Sequence, residues 1–189
     1  MTSDITRAVR FTIVTVVLFG GGYHAVLWAV GQVAFPMQTE GSLIRRSDGT
    51  VIGSRLIAQD FTRPEYFHPR PSGVDYNAAS TGGTNYGSSN PDHLRVVEER
   101  LEAIKTREGV TAAEVPSEMV TASGGGLDPH IPLDAAALQT PRVAVARGVP
   151  IERVQQLIRA HTERPTFGFL GRARINVLDL NLALDQLQP

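Results

Sequence analysis

The chain has no cysteine among its 189 residues. That excludes a disulfide framework, a thiolate metal site and a cysteine nucleophile, and leaves only histidine and carboxylate chemistry for any metal. It also lacks an excess of either charge: 18 basic and 19 acidic side chains give a formal net charge of −1. Without a basic stripe, a polyanion such as nucleic acid is a poor partner. No internal repeat and no long linker divides the sequence, so its size suits one core plus a membrane segment rather than two full domains.

Charge is missing most conspicuously from residues 11–35, FTIVTVVLFGGGYHAVLWAVGQVAF, which hold no Lys, Arg, Asp or Glu. As a helix this stretch would rise about 37 Å, enough to cross a hydrocarbon core of about 30 Å. A transmembrane helix is expected, with Trp28 and Phe35 toward one interface and Pro36 placed to stop it. A cleaved signal peptide is the competing reading, but its apolar region runs only about 7–15 residues. Arg7 and Arg10 flank the near side, and no basic residue follows until Arg45 and Arg46. This bias expects residues 1–10 in the cytoplasm and 37–189 outside. Gly20, Gly21 and Gly22 would let a partner helix approach closely, and His24 is expected to face protein rather than lipid.

Beyond the span the pattern is α+β: one N-terminal transmembrane helix followed by a single compact mixed domain. Two β-rich runs around Ser47-Asp48-Gly49 read as a hairpin. Asn90-Pro91 reads as an N-cap and first helical residue, with Leu94, Val97, Leu101 and Ile104 as an apolar face up to a stop at Gly109. Thr140-Pro141 and Val149-Pro150 read as two further helix starts. Residues 174–178 alternate like a short strand, and LDLNLALDQL at 178–187 reads as helical.

Two glycine-rich segments hold the candidate functional residues. HPRPSGVDYNAASTGGTNYGSSNP at 68–91 contains His68, Arg70, Tyr76, Asn77, Gly82, Gly83, Asn85 and Gly87; ASGGGLDPH at 122–130 contains Gly124, Gly125, Gly126, Asp128 and His130. Neither has the lysine that a phosphate-binding P-loop places at the mouth of a helix. His68, Asp128 and His130 lack the spacing of a metal motif, and Ser123, Asp128 and His130 form a hydrolase triad only on paper, without a G-x-S-x-G elbow. The reading that remains is a pair of rigid loops, braced by glycine at positive φ, Asn and Ser turns and Pro, that serve as structure and as a docking surface. On that reading Gly83 and Gly125 adopt positive φ, and no catalytic, cofactor or metal residue is assigned.

FPMQTEGSLI, GSRLIAQDF, YFHPRPSGVDYNAASTGGTNYGSSNP, VTASGGGLDPHI, RVAVARGV and GFLGRARINVLDLNLAL occur in the order seen in the C subunit of Kdp-type potassium-transporting ATPases, and the chain resembles that family over almost its whole length. The resemblance implies a bacterial inner-membrane complex that uses ATP and Mg and transports K+. In it a channel-like A subunit selects potassium, a P-type ATPase B subunit hydrolyses ATP and a small F subunit assists. The C subunit would be a single-pass, non-catalytic protein needed for assembly and activity, with its N-terminus cytoplasmic, a periplasmic domain beside the ion entrance and no cofactor of its own. An alternative within the family makes it a chaperone that raises the ATP affinity of the B subunit, which an exported domain could not do directly. A membrane-anchored envelope hydrolase is a remote third reading. The chain departs from the family pattern at 81–88, TGGTNYGS in place of a Ser-Gly-Ser-Asn-Leu-Gly-Pro-like run, and at Arg172-Ala173, where the family usually has Glu-Pro.

Overall fold

The charge-poor stretch forms helix as far as Ala34 in the computed structural model, which describes residues 2–187. Helix α1 (Thr2–Thr15) passes through a π-helical stretch (Val16–Gly22) into α2 (Tyr23–Ala34), and residues Ser3–Ala34 together are long and apolar enough to span a bilayer. The glycines lie inside the wider π turn, where the Tyr23 amide reaches back five residues to the Leu18 carbonyl. His24 Nδ1 lies 3.1 Å from the Phe19 carbonyl oxygen, five residues back, so the polar ring serves its own helix. Phe35 ends α2, and Pro36 opens a short helix α3 (Pro36–Thr39).

The rest of the chain, from Ile44, is a second compact unit. Strands β1 (Leu43–Arg45) and β2 (Val51–Ser54) form the expected hairpin, with Gly49 at φ +85° and the Asp48 carboxylate accepting from the Thr50 amide at 2.9 Å. After the long loop comes α4 (Pro91–Glu108). Its Asn90 cap accepts from the Asp92 amide at 2.8 Å, and Gly109 ends it at φ +70°. A 3-10 turn (Ala112–Glu114) and α5 (Ser117–Val120) lead to the second glycine loop. Then follow β3 (His130–Pro132), α6 (Leu133–Arg147), α7 (Ile151–Ala160), β4 (Thr162–Glu163), β5 (Arg174–Asn176) and α8 (Val177–Asp185). β5 is the central strand of an antiparallel sheet ordered β3-β5-β4, pairing Ile131 with Ile175 and Thr162 with Ile175. Phe67, Ile131, Val143, Val154, Ile175, Leu180 and Leu184 are fully buried and form the centre of the core.

Three sequence expectations need correction. Thr140-Pro141 does not start a helix; Pro141 lies inside α6. It is tolerated because its missing N–H would have bonded the carbonyl of Ala137, and both residues are exposed, where water can serve that oxygen. The alternation at 174–178 yields a strand only to Asn176, whose side chain caps α8 by accepting from the Asp179 amide at 3.2 Å. Leu94, moreover, stays 55% exposed, so the apolar face of α4 begins in effect at Val97.

Candidate functional site

The long loop is held first at Phe67 and His68, by two buried amides. Asn181 of α8 accepts from the Phe67 amide at 2.8 Å and donates to its carbonyl at 2.9 Å; Gln139 of α6 does the same for His68 at 2.8 and 3.1 Å. Each side chain presents a donor and an acceptor as a neighbouring strand would. Arg142, one turn after Gln139, makes a two-pronged contact with Glu108 at 3.1 and 3.0 Å and donates to the carbonyls of Pro64 and Tyr66. Burial pulls the Arg142 pKa below its ordinary value, opposed by Glu108. Arg147 reaches the carbonyls of Glu65 and Leu184 and the carboxylate of Asp185.

The two glycine-rich segments then close on each other around Ser72. Its hydroxyl donates to the Gly126 carbonyl at 2.7 Å and accepts from the amides of Val74 and Tyr76, each at 3.0 Å. The Gly82 amide and the Thr81 hydroxyl both donate to the Gly125 carbonyl, at 3.1 and 3.0 Å, and the Ser123 amide donates to Pro71 at 3.1 Å. Tyr76 donates its phenol proton to the Arg70 carbonyl at 2.9 Å; burial and then Asp60 push the phenol up to about 12. Asn77 closes an Asx turn with the Ala79 amide at 3.0 Å, and the Gly87 carbonyl accepts from Asn90 at the start of α4.

Glycine enters this arrangement differently from expectation. Gly83 and Gly125 are not in the left-handed region; Gly126 is, at φ +72°, and the other positive values in the loops belong to Asp75, Tyr76 and Asn85. Gly83 is needed for close approach: a Cβ there would lie 2.9 Å from the Gly124 carbonyl oxygen. A Cβ at Gly126 would meet Val74 at 2.7 Å and the Gly82 oxygen at 3.0 Å, whereas one at Gly124 or Gly87 would meet nothing.

Of the titratable candidates, Arg70, Asp128 and His130 come together and His68 does not. Arg70 donates to Asp128 at 3.2 Å, while His130 gives Asp128 its backbone amide at 3.0 Å and faces it with Nδ1 at 3.2 Å. Burial would raise the Asp128 carboxyl, but the His130 hydrogen bonds and the Arg70 and His130 charges hold it below the usual range. Ser123 is buried and accepts from the Asp128 amide at 3.4 Å, so Ser123, Asp128 and His130 do not line up as nucleophile, orienting acid and base. Glu118 and Arg172 meet at 3.0 Å on the wall of the same shallow cavity of about 300 Å³. His68 lines a separate cleft of about 400 Å³ with Asp60, Tyr76, Arg100, Arg107 and Met119. Burial first, then Arg107 and Arg142, lower its imidazole to about 4, so the ring is neutral at physiological pH. Among the described residues no group of three or more acidic or histidine side chains is placed to hold a metal ion.

Sequence reasoning passed over Ser72, Gln139, Arg142 and Asn181. Gln139 and Asn181 were legible as polar residues on otherwise apolar helical stripes, among Ala135, Ala136 and Val143 and among Val177, Leu180 and Leu184.

Comparison with known proteins gives this brace its context. The model of the KdpC family, K+-transporting ATPase c chain, matches residues 5–186. The chain belongs to the KdpC family. Among similar proteins, the potassium-transporting ATPase KdpC subunit of Geobacter sulfurreducens is 47% identical over 98% of this chain and 99% of its own length. Those of Caldanaerobacter subterraneus and Polaromonas naphthalenivorans are each 45% identical, over 97% and 100% of this chain and 95% and 97% of theirs. The membrane-competent helix and the braced domain thus both fall within one family match.

Proposed function

We propose that the chain is a membrane-anchored, non-catalytic subunit of an ATP-driven potassium uptake complex, and that it assembles with the channel-like, ATP-hydrolysing and small accessory subunits. The observation that carries this reading is the single family match across both the apolar helix and the domain. In the proposed topology residues 1–10 are cytoplasmic, 11–35 span the inner membrane and 37–189 are periplasmic, following the arginines at 7 and 10. His68, Arg70, Tyr76, Asn77, Gly82, Gly83, Asn85, Gly87, Gly124, Gly125, Gly126, Asp128 and His130 then act as brace and docking surface, and Gly20, Gly21 and Gly22 as a packing patch in the bilayer. Many of their polar groups are spent on one another, which supports a structural role over ligand capture.

Co-expression with the other subunits tests this. The tagged chain should co-purify with a potassium-stimulated ATPase whose assembly or activity fails without it. A reporter fused after Pro189 should register outside the cytoplasm. Recovery of a fully active ATPase from cells lacking the chain would overturn the proposal. A cytoplasmic reporter signal together with saturable ATP binding by the chain would favour the chaperone alternative.

A further inference from the structure

The three-stranded sheet carries a titratable group that the brace does not use. His130 opens β3 and Glu163 ends β4, the two edge strands on either side of β5. In the register His130 lies opposite Asn176 and Glu163 opposite Arg174, so the two side chains approach diagonally across the central strand. Asp128 Oδ1 accepts from the His130 amide at 3.0 Å and lies 3.2 Å from the ring Nδ1, while Glu163 Oε2 lies 3.8 Å from Nε2. Despite its burial the Asp128 carboxyl is held below its usual range, and an ionised carboxylate can only accept. It therefore fixes the one proton of the neutral ring on Nδ1. The bare Nε2 is left facing a carboxylate, with no donor between them.

The fixed charges around this ring cancel in pairs. Arg70 meets Asp128 at 3.2 Å, Arg174 meets Glu163 at 2.9 Å and Arg172 meets Glu118 at 3.0 Å, while Asp134 lines a neighbouring hollow with Arg172. Of the side-chain types in this set, imidazole is the one whose charge ordinarily changes near neutral pH. A second ring proton has one place to enter, Nε2, and there it gives Glu163 a donor once the 3.8 Å gap closes by about 1 Å. β4 consists of Thr162 and Glu163 and pairs with β5 alone, so little holds it against that movement.

We propose that His130 is a proton-operated clasp: on taking a proton from solvent at Nε2 it donates to Glu163 and ties β3 to β4 across β5. This goes beyond the assembly reading and does not rest on it. In acid the clasp steadies the edge strand and the turn at 164–173 that β4 leads into. Carbon-13 and nitrogen-15 resonances of the histidine side chains, followed from pH 8 to pH 5 on the full chain in detergent, test it, with His130→Gln identifying the His130 signals. The neutral ring should carry its proton on Nδ1, and Glu163→Gln should lower its proton affinity about threefold. Hydrogen exchange at the backbone amides of residues 162–163 and 174–176 gives a second readout. The protection lost in Glu163→Gln should be about two- to fivefold greater at pH 5.5 than at pH 8, and in a His130→Gln background it should no longer depend on pH. A neutral ring protonated on Nε2, an unchanged proton affinity, or a loss of protection of the same size at both pH values overturns the proposal.

Discussion

Gln139 and Asn181 lie on different helices, yet each spends both halves of its carboxamide on one residue of the same extended stretch. Replacing Asn181 with alanine would strand a buried N–H and a buried carbonyl at Phe67, at a cost of about 2–4 kcal/mol. Thermal unfolding of the full chain in detergent should then occur roughly 10 °C lower, and an unchanged midpoint would show that water replaces the amide. His68 makes a different demand. Its folded pKa of about 4 lies below the ordinary 6.5. Above pH 6.5 the ring is neutral in both states. As pH falls from 6.5 toward 4 the unfolded chain takes up a proton that the folded one refuses, so stability is lost across that window and levels off below it. Discounted for solvent screening of this half-buried ring, the loss is roughly 1–2 kcal/mol. Urea titrations at pH 7, 5.5 and 4.5 should show His68→Gln losing less stability than the parent over the same interval.

At the scale of elements, the glycine loops separate into positions that need glycine and positions that merely have it. Gly126→Val combines positive φ with contacts at 2.7 and 3.0 Å and should cost about 3 kcal/mol or more. Gly125→Val faces only the Thr81 hydroxyl at 3.2 Å, outside the left-handed region, and should cost about 1 kcal/mol. Equal losses of folded yield would refute the distinction. Gly21 makes no contact within its own chain at the Cβ position. Gly21→Leu should therefore leave insertion intact and weaken co-purification with the membrane subunits if this face packs against a partner. The caps at Asn90 and Gly109 were readable in the sequence because capping is local chemistry. The interior position of Pro141 was not, since what permits it is the exposure of Ala137, a property of the packed domain. The same limit hid the glycines' roles: the near contact at Gly83 comes from Gly124, a carbonyl 41 residues away (124 − 83), which no local pattern announces.

Across the whole molecule, the composition excluded thiol chemistry and the charge-free run announced a helix apolar enough to span a bilayer. The brace was harder to see because its partners come from the two ends of the domain sequence. Arg142 gathers Glu108, Pro64 and Tyr66, while Arg147 gathers Glu65, Leu184 and Asp185, so α4, α6, α8 and the segment before the loop share two guanidinium hubs. Arg142 is 10% exposed and Glu108 fully covered. Removing one partner of such a pair costs more than the pair contributes. The two amide clamps on Phe67 and His68 also impose an order of events on synthesis. Asn181 follows Phe67 by 114 residues, so the segment it grips is made long before its grip exists. Until then Phe67 lacks the partner for its own amide and carbonyl, although the second glycine loop and Gln139 can already close on its neighbours. A nascent chain arrested before Val177 should be cut there by protease, and one completed through α8 should resist.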